Sequence, residues 1–545
     1  MTLNRLPILF IFLVLFLTAC GGAAPEAGGV ASEEAAANQA EASDPIILRV
    51  GAPDDDYRLD PQDPGRTNVA MAQVNTNVFD RLTQMDVDFQ IQPMLAESWE
   101  YMPDSGTWRF KLRQDVTFHN GEPFTAEAVV EMIKRVAPGG FATILKIDEN
   151  SAVAVDDYTV DITPTTENVQ LPGQIAHPNF GIRAPGSDPF AGENIGTGPF
   201  MFKEYVEDDH ITVVKNPDYW GEVAQVDEIE FRFMPDPNTR VLALQAGEVD
   251  LIYDVPRESA GLLEETNNIT VLPAKVGAYQ ALSILSTGEP PRDITNDILV
   301  RRAIGYAIDR QAVIDTAFDG RAVESQTLIP AGVLGEYATQ VEGFSYDPEQ
   351  AEALLEEAGW VDGDGDGVRE KEGRRLTLEM VSGYPTANDN GQTPEVLQAQ
   401  LLQVGIETNI TAINDSAAYD DYLTEQKGDL WVEIGNQNSA SPCFLPSFLY
   451  YGGDENPNNY QLAFAPDFVG FPAFDEAMDG CTGAADTDVA AQNAAQAIHI
   501  LVDEAHTALP LLGLYRIWAT SNQVTGFEPH PIFVMVRWNT VSLAP

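Results

Sequence analysis

Three groups of residues in this 545-residue chain have the types and spacing to do chemistry. The first is an acidic loop. Asp362, Asp364 and Asp366 alternate with glycines, Gly367 stands sixth and Glu370 follows. Carboxylates at alternate positions with a sixth-position glycine begin a loop that can wrap a hard cation such as calcium. The twelfth position, where a bidentate Glu belongs, is Gly373, and the segment runs into a strand-like stretch from Leu376 to Val381. A solvated acidic turn is therefore favoured over a metal site at these three aspartates. The second group is Gly435-Asn436-Gln437-Asn438-Ser439-Ala440-Ser441-Pro442, directly after a strand-like run from Leu430 to Ile434. Amides and hydroxyls crowded at the end of a strand suit recognition of a polar solute. Asn436, Asn438 and Ser439 are the candidate contacts, and Trp431, Tyr384 and Phe444 could stack on a ligand, although core packing suits each of them too. The third group is the cysteines, Cys20, Cys443 and Cys481. The six histidines, His119, His177, His210, His499, His506 and His530, show no metal-ligand spacing. G-x-S-x-G, H-E-x-x-H and Walker A sequences are absent, so no catalytic residue and no cofactor is assigned.

The elements that hold these groups must come from a chain with ordinary globular composition, 44% hydrophobic and 21% charged. Its length predicts two to four domains. Acidic residues outnumber basic ones 84 to 30, for a formal charge of −54. That balance excludes a nucleic-acid partner, which needs a clustered positive surface, and excludes adhesion of the folded part to anionic lipid by charge.

At the start of the chain, Arg5 precedes an apolar run from Leu6 to Leu17 that is too short to span a bilayer and suits a signal-peptide core over residues 1–19. Leu17-Thr18-Ala19-Cys20 then resembles a bacterial lipobox, which implies lipidation of Cys20. Residues 21–43, rich in Gly, Ala, Glu and Ser, read as a flexible tether. The expected location is extracytoplasmic, the periplasm or the outer face of the cell membrane, held there by lipid. Outside the cytoplasm Cys443 and Cys481 can form one disulfide or remain two separate buried thiols.

Several elements declare their ends. Asp236-Pro237 predicts a helix start, with Leu242 and Ala246 on one face and Gly247 as the stop, before a short strand from Val249 to Tyr253. Asp347-Pro348-Glu349-Gln350 predicts another start with a capping box, and Ala351, Leu354, Leu355 and Ala358 form its apolar face. Thr393-Pro394 opens a third helix, with Leu397 and Leu401 inward. Val300, Ala303, Ile304, Ala307 and Ile308 mark a fourth. Trp108, Phe110 and Leu112 alternate with Arg109, Lys111 and Arg113, the pattern of a strand with one wet face. Helix–Gly–strand units beside such strands predict α/β architecture with mixed sheets.

Residues 95–136 read LAESWEYMPDSGTWRFKLRQDVTFHNGEPFTAEAVVEMIKRV. Through Leu95, Ala96, Ser98, Trp99, Leu112, Arg113, Val116, Phe118, His119, Gly121, Thr125, Ala126 and Val129 this segment resembles the signature of the extracytoplasmic solute-binding proteins of the peptide/nickel class, family 5, which serve ABC importers. Ala128 departs from it, because the family usually carries Asp there. The resemblance continues at Gly196-Thr197-Gly198-Pro199-Phe200, Lys215-Asn216-Pro217-Asp218-Tyr219-Trp220, Ala246-Gly247-Glu248-Val249-Asp250, and Val300 to Asp309. The residues themselves read mainly as scaffold: Trp99, Trp108, Phe118 and Trp220 as core, His119 as a hydrogen-bonded structural histidine.

The resemblance implies a two-lobed periplasmic-binding-protein-like fold of type II with an extra subdomain and a cleft between lobes. It places lobe I at 44–285, with the subdomain at about 80–195, lobe II at 286–510 and a return to lobe I at 511–545. It implies a monomer that binds a small-molecule or peptide solute, makes or breaks no bond, and presents the closed form to an ABC transporter permease. Peptide-binding members carry an Asp where this chain has Asn438, and that carboxylate receives the peptide α-amino group. An amide brings no charge to that role, so a polar uncharged solute or a chelated metal is as well suited as an oligopeptide. The rival readings are a secreted hydrolase and the same scaffold reused for signalling or chaperoning.

An acidic surface with few lysines repels itself, and salt screens that repulsion. The melting temperature at neutral pH is expected to rise with NaCl; a melt indifferent to salt refutes this.

Overall fold

The computed structural model describes residues 44–53, 60–62, 69–139, 142, 145–285, 293–382, 392–413, 418, 422, 425, 427–437, 439–450, 471–484 and 486–544. Cys20 with its leader and tether, Tyr384 and Asn438 lie outside the described residues.

Two mixed sheets form the frame. Ile47–Ala52 is the central strand of the first, which has the order Ile269–Pro273, Ile517–Ser521, Leu251–Tyr253, Ile47–Ala52, Glu228–Phe233, His210–Lys215, Phe200–Val206. It runs parallel to both neighbours, and every other pairing in this sheet is antiparallel. The second sheet has the order Val323–Glu324, Ala508–Leu514, Ala278–Ile284, Leu430–Asn436, Thr377–Ser382, Glu407–Ala412. A third, antiparallel sheet of four strands, Ala96–Met102, Thr107–Leu112, Thr159–Ile162 and Ala152–Asp156, is inserted between the first and second strands of the chain's first sheet. Within it Phe110 and Leu112 are buried, Lys111 is exposed and Arg109 grips Asp161 through two 2.7 Å bonds, the one-sided pattern read from the sequence.

Alternation along the strands of the second sheet sends side chains into two separate cores. Leu282 and Ile284 join Leu430, Val432, Val300, Ile304, Leu355, Leu397 and Leu401 on one face. Tyr279 and Ala281 join Cys443, Met478, Ala494 and Ile498 on the other. Ala508–Leu514 is buried at every position because both faces are covered.

The chain passes from the first sheet to the second between Pro273 and Ala278, and returns between Leu514 and Ile517. Ala278–Ile284 is bonded along its whole length to Leu430–Asn436 and also to Ala508–Leu514, so both flanking strands belong to the second sheet.

Helix ends follow their caps, with one correction. Asp236 Oδ1 accepts from Thr239 N at 2.7 Å and Gly247 ends that helix at φ 73°. Leu242 and Ala246 share the exposed face; the buried stripe is Arg240, Ala243 and Leu244. The buried Arg240 guanidinium donates to the carbonyls of Met234 and Pro235 at 2.7 and 3.0 Å, which turns that side of the helix toward the body. At Pro348–Glu357, Asp347 Oδ1 accepts from Gln350 N at 3.0 Å, but Asp347 N already donates to Tyr306 O, so only half of a capping box forms.

Cys443 and Cys481 are joined as a disulfide with Cα atoms 5.8 Å apart across a separation of 38 residues. It ties the start of Phe444–Tyr450 to Phe471–Thr482 inside the second core. Closing a loop of that length removes denatured-state entropy worth about 4 kcal/mol. Replacing both cysteines with Ser is expected to lower unfolding free energy by about 2–4 kcal/mol in a urea titration with an unchanged fold; equal midpoints refute it.

Candidate functional site

Leu430–Asn436 delivers the Asn-rich segment to the margin of the second sheet. Asn436, paired with Ala278, is the last residue of the strand and is half-buried. Beyond it the chain folds around one side chain that sequence reasoning did not single out. Gln437 Nε2 donates to Ser439 O at 2.5 Å and to Ser441 O at 2.9 Å, and Gln437 N donates to Gly277 O at 3.0 Å. Ser439 is wholly buried. Its Oγ donates to Gly173 O at 3.2 Å and accepts from Ser441 N at 3.1 Å. Gly173 lies in the short helix Leu171–Gln174, where an added Cβ would come within 2.9 Å of Ile91 Cδ1 and 3.6 Å of Ser441 N. The segment is thus a packed seam against the 171–183 stretch rather than a loose loop. Phe444, also buried, sets its ring 6.5 Å from the ring of His177 across the same seam. Trp431 is elsewhere. Its side chain packs with Leu285, Val381 and Ile413, and its Nε1 donates to Lys427 O at 2.8 Å, so it is a core residue and not a stacking platform. It points that way because odd and even positions of the strand face opposite sides and its neighbours there are apolar.

On the other side of the seam the helix Val69–Val78 leads directly into Asp80 and Arg81. Asp80 is fully buried and heavily used: Trp220 Nε1 donates to it at 2.8 Å, Thr197 Oγ1 at 3.3 Å and Arg537 Nη1 at 3.2 Å. Arg537 also donates to Thr76 O at 2.9 Å and to Tyr219 Oη at 2.8 Å. Burial, with Asp80 nearby, pushes the Tyr219 hydroxyl well above its ordinary range. His177 and His530 are buried beside this group. Loss of hydration, aided by repulsion from Arg81, depresses His177 to about 3; burial likewise depresses His530 to about 4. His530 Nδ1 accepts from Ile532 N at 3.0 Å and its Nε2 lies 3.1 Å from Met85 O, the arrangement of a neutral ring protonated on Nε2. His119 is held by Gly198 O at 3.0 Å and Gly196 N at 3.2 Å, a structural role.

The acidic loop is remote in kind from this seam. Asp362, Asp364 and Asp366 are exposed and place one oxygen each within 4.8 Å of one another. Each already accepts a backbone N–H: Asp362 from Gly365 and Gly367, Asp364 from Asp366, Asp366 from Val368. Arg375 donates to Asp366 and, as the largest influence, holds its carboxyl below the usual range.

The family model described as bacterial extracellular solute-binding proteins, family 5 Middle, matches residues 90–457. The chain belongs to this family. It is 30% identical over 407 residues to the nickel-binding periplasmic protein of Escherichia coli K12, covering 69% of this chain and 74% of that protein. It is 30% identical over 396 residues to the glutathione-binding protein GsiB of Salmonella paratyphi A, covering 71% and 72%. Among solved structures, NikA of Brucella suis in complex with Fe(III)-EDTA superposes with a TM-score of 0.79 at 24% identity, over 91% of this chain and 99% of that one, which shows the two-lobed binding-protein fold. The family 5 chain is therefore extracytoplasmic, and the family is one of solute-binding proteins.

Of the residues singled out from the sequence, Ser439 and Phe444 meet the first-sheet side at the seam, Asn436 stands at its edge and Trp431 does not reach it. Asp80, Arg81 and Arg537 went unnoticed, and Gln437 and His177 were given no contact role. The one signal available was an Asp-Arg pair set between Phe79 and Leu82, charge in an apolar context.

Because the folded values of His177 and His530 lie below 6.5, the unfolded chain takes up protons first as pH falls. Stability is then intact above about 6.5 and is lost progressively toward pH 4. For His177 the loss by pH 4 is about 3 kcal/mol. His177→Asn is expected to flatten the dependence of unfolding free energy on pH between 6.5 and 4; a slope equal to wild type refutes the assignment.

Proposed function

We propose that this family 5 protein is the lipid-anchored, monomeric substrate-binding component of an ABC importer. It captures a small polar solute, an oligopeptide, metal chelate or related molecule, between its lobes and delivers it to the membrane permease. The observation that carries the reading is the seam itself. Ser439 against Gly173 and Phe444 against His177 bring side chains of the second sheet onto the first-lobe body, while only two short crossings connect the sheets. Such a pair of bodies can hinge, and closure removes water from whatever lies between them. The lobes proposed here take the observed crossings as their limits: lobe I ends before Ala278 and resumes after Leu514, with the four-stranded sheet in its extra subdomain, and lobe II lies between.

The nickel-binding and glutathione-binding relatives support a metal chelate or a short peptide as the cargo class. The exclusion of nucleic acid follows from the charge of −54. Anchorage rests on Cys20 and the tether after it. Among the described residues no helix is long and apolar enough to cross a membrane. A tethered binder stays near its permease at high effective concentration.

Protein purified from its own host is expected to retain a small molecule in native mass spectrometry, to release it unaltered, and to show a larger radius of gyration once emptied. Conversion of the molecule during binding, or an unchanged radius with and without it, overturns the proposal. Cys20→Ala is expected to move the protein from the membrane to the soluble fraction; retention in the membrane refutes the anchor.

A further inference from the structure

The helix Arg257–Glu264 follows Leu251–Tyr253 of the first sheet, and both of its ends hold the second body. At its start the buried Arg257 guanidinium lies 4.4 Å over the ring of Phe318, and its Nε donates to Arg321 O at 3.2 Å. At its end Glu264 grips Arg321 as a fork, Nη1 donating to Oε1 at 3.0 Å and Nη2 to Oε2 at 2.9 Å. Between the two, Gly261 faces the same arginine: a Cβ there would stand 3.7 Å from Arg321 Nη2. Phe318 and Arg321 belong to the turn that joins the helix Arg310–Ala317 to the strand Val323–Glu324 of the second sheet.

This tie and the seam lie on opposite sides of the crossings. In the second sheet Ala278–Ile284 and Ala508–Leu514 are neighbours that run on into the crossings. Leu430–Asn436, which leads to the seam, lies beyond the first of them, and Val323–Glu324, which follows Arg321, lies beyond the second. The faces are opposite as well. Phe444 belongs to the core of Tyr279 and Ala281, Phe318 to the core of Leu282 and Ile284. In the first sheet Ala260 and Leu263 of the tying helix pack on the face of Ile252 and Ala519. Val69–Val78, which packs against Pro178–Phe180 beside the seam, covers the other face, that of Leu251, Tyr253 and Trp518.

We propose that the contacts of Arg257 and Glu264 with Phe318 and Arg321 are a brake behind the hinge, which biases the empty protein toward the open form. This rests on the hinged two-lobe reading and adds to it what opposes closure. A rotation about the crossings that draws the seam together pulls the far side apart. The arginine–carboxylate fork has a short reach, because a shift of about 1 Å takes both bonds beyond hydrogen-bonding distance. The pair is also part-exposed, at 23% for Arg321 and 49% for Glu264, so its strength is modest. A modest restraint suits a brake, since contacts made by a bound molecule at the seam can then overcome it.

The test uses the full chain in detergent, emptied of solute by dialysis from denaturant, with spin labels on Thr166→Cys and Gln340→Cys. These exposed positions stand next to Val169 and Val341, which share one core across the two bodies. Electron–electron distance measurement then reads the opening of the seam. Glu264→Gln is expected to raise the ratio of short to long distances by about 2- to 5-fold, the worth of a part-exposed ion pair. Gly261→Trp, a wedge against Arg321, is expected to shift the ratio the same way. Exchanging the charges, Glu264→Arg with Arg321→Glu, is expected to restore the wild-type distribution. An unchanged or longer distance in either of the first two variants overturns the brake, as does a charge exchange that fails to restore the distribution. Ser439→Ala with Phe444→Ala cuts the seam and reports on the hinge itself. If that variant lengthens the distance while those behind the hinge fail to shorten it, the brake falls and the hinged reading stands. If no variant moves the distance, both fall together.

Discussion

Ile517–Ser521 pairs antiparallel with Leu251–Tyr253 on one side and Ile269–Pro273 on the other, so the first sheet is continuous only when the chain returns from the second. The rest of the architecture depends on that insertion. Without it Ile269–Pro273 has no neighbour in the sheet, and the apolar cluster of Trp518, Trp538, Tyr253 and Phe231 loses its centre. Non-local pairing of this kind carries a large loop-closure entropy, which the burial of the aromatic cluster must offset. Asp80 and Arg537 fasten the same return at a second point, 457 positions apart. A buried pair of this sort adds little net stability compared with apolar residues, but losing one partner costs about 3–5 kcal/mol, so it enforces one register of return.

That constraint has a functional consequence. Because the chain must leave and re-enter the first sheet, the two bodies are joined by two crossings at neighbouring points, 274–277 and 515–516. Two parallel connections restrain sliding more than bending. Away from the crossings the two bodies meet through Ser439 on Gly173 and Phe444 beside His177, through the Glu264–Arg321 ion pair and Arg257 over Phe318, and through apolar packing of Val333 and Ala440 with Phe89 and Ala176. A structure with a separate core on each side and a mixed polar and apolar boundary between them can open and close without unfolding either core.

Much of the fold was legible in the chain because it is written locally. The caps at Asp236 and Asp347, the one-sided strand at Trp108 to Leu112 and the family signature from Leu95 onward all occupy the elements expected of them. Where local reading failed, a tertiary partner had overruled it. The helix after Asp236 buries Arg240, a residue its local pattern did not mark, because that side chain finds three carbonyls beneath the helix. Tyr306 O took the N–H that a full capping box at Asp347 requires.

The amino-acid sequence by itself determined the class of protein, the acidic surface, the alternation that divides each sheet face from the other, and the presence of a polar segment after Leu430–Asn436. Those properties depend on composition, period and near neighbours. Only the tertiary structure decided which polar residues share one space. Arg81, His177, Gln437 and Arg537 are scattered over the whole chain, each surrounded in sequence by residues that say nothing of the others. Pairing of cysteines 38 positions apart was likewise open until the helices that carry them were packed together. Solvation is the physical reason. Whether a charge is satisfied or stranded depends on what surrounds it in three dimensions, and no periodicity along the chain encodes that.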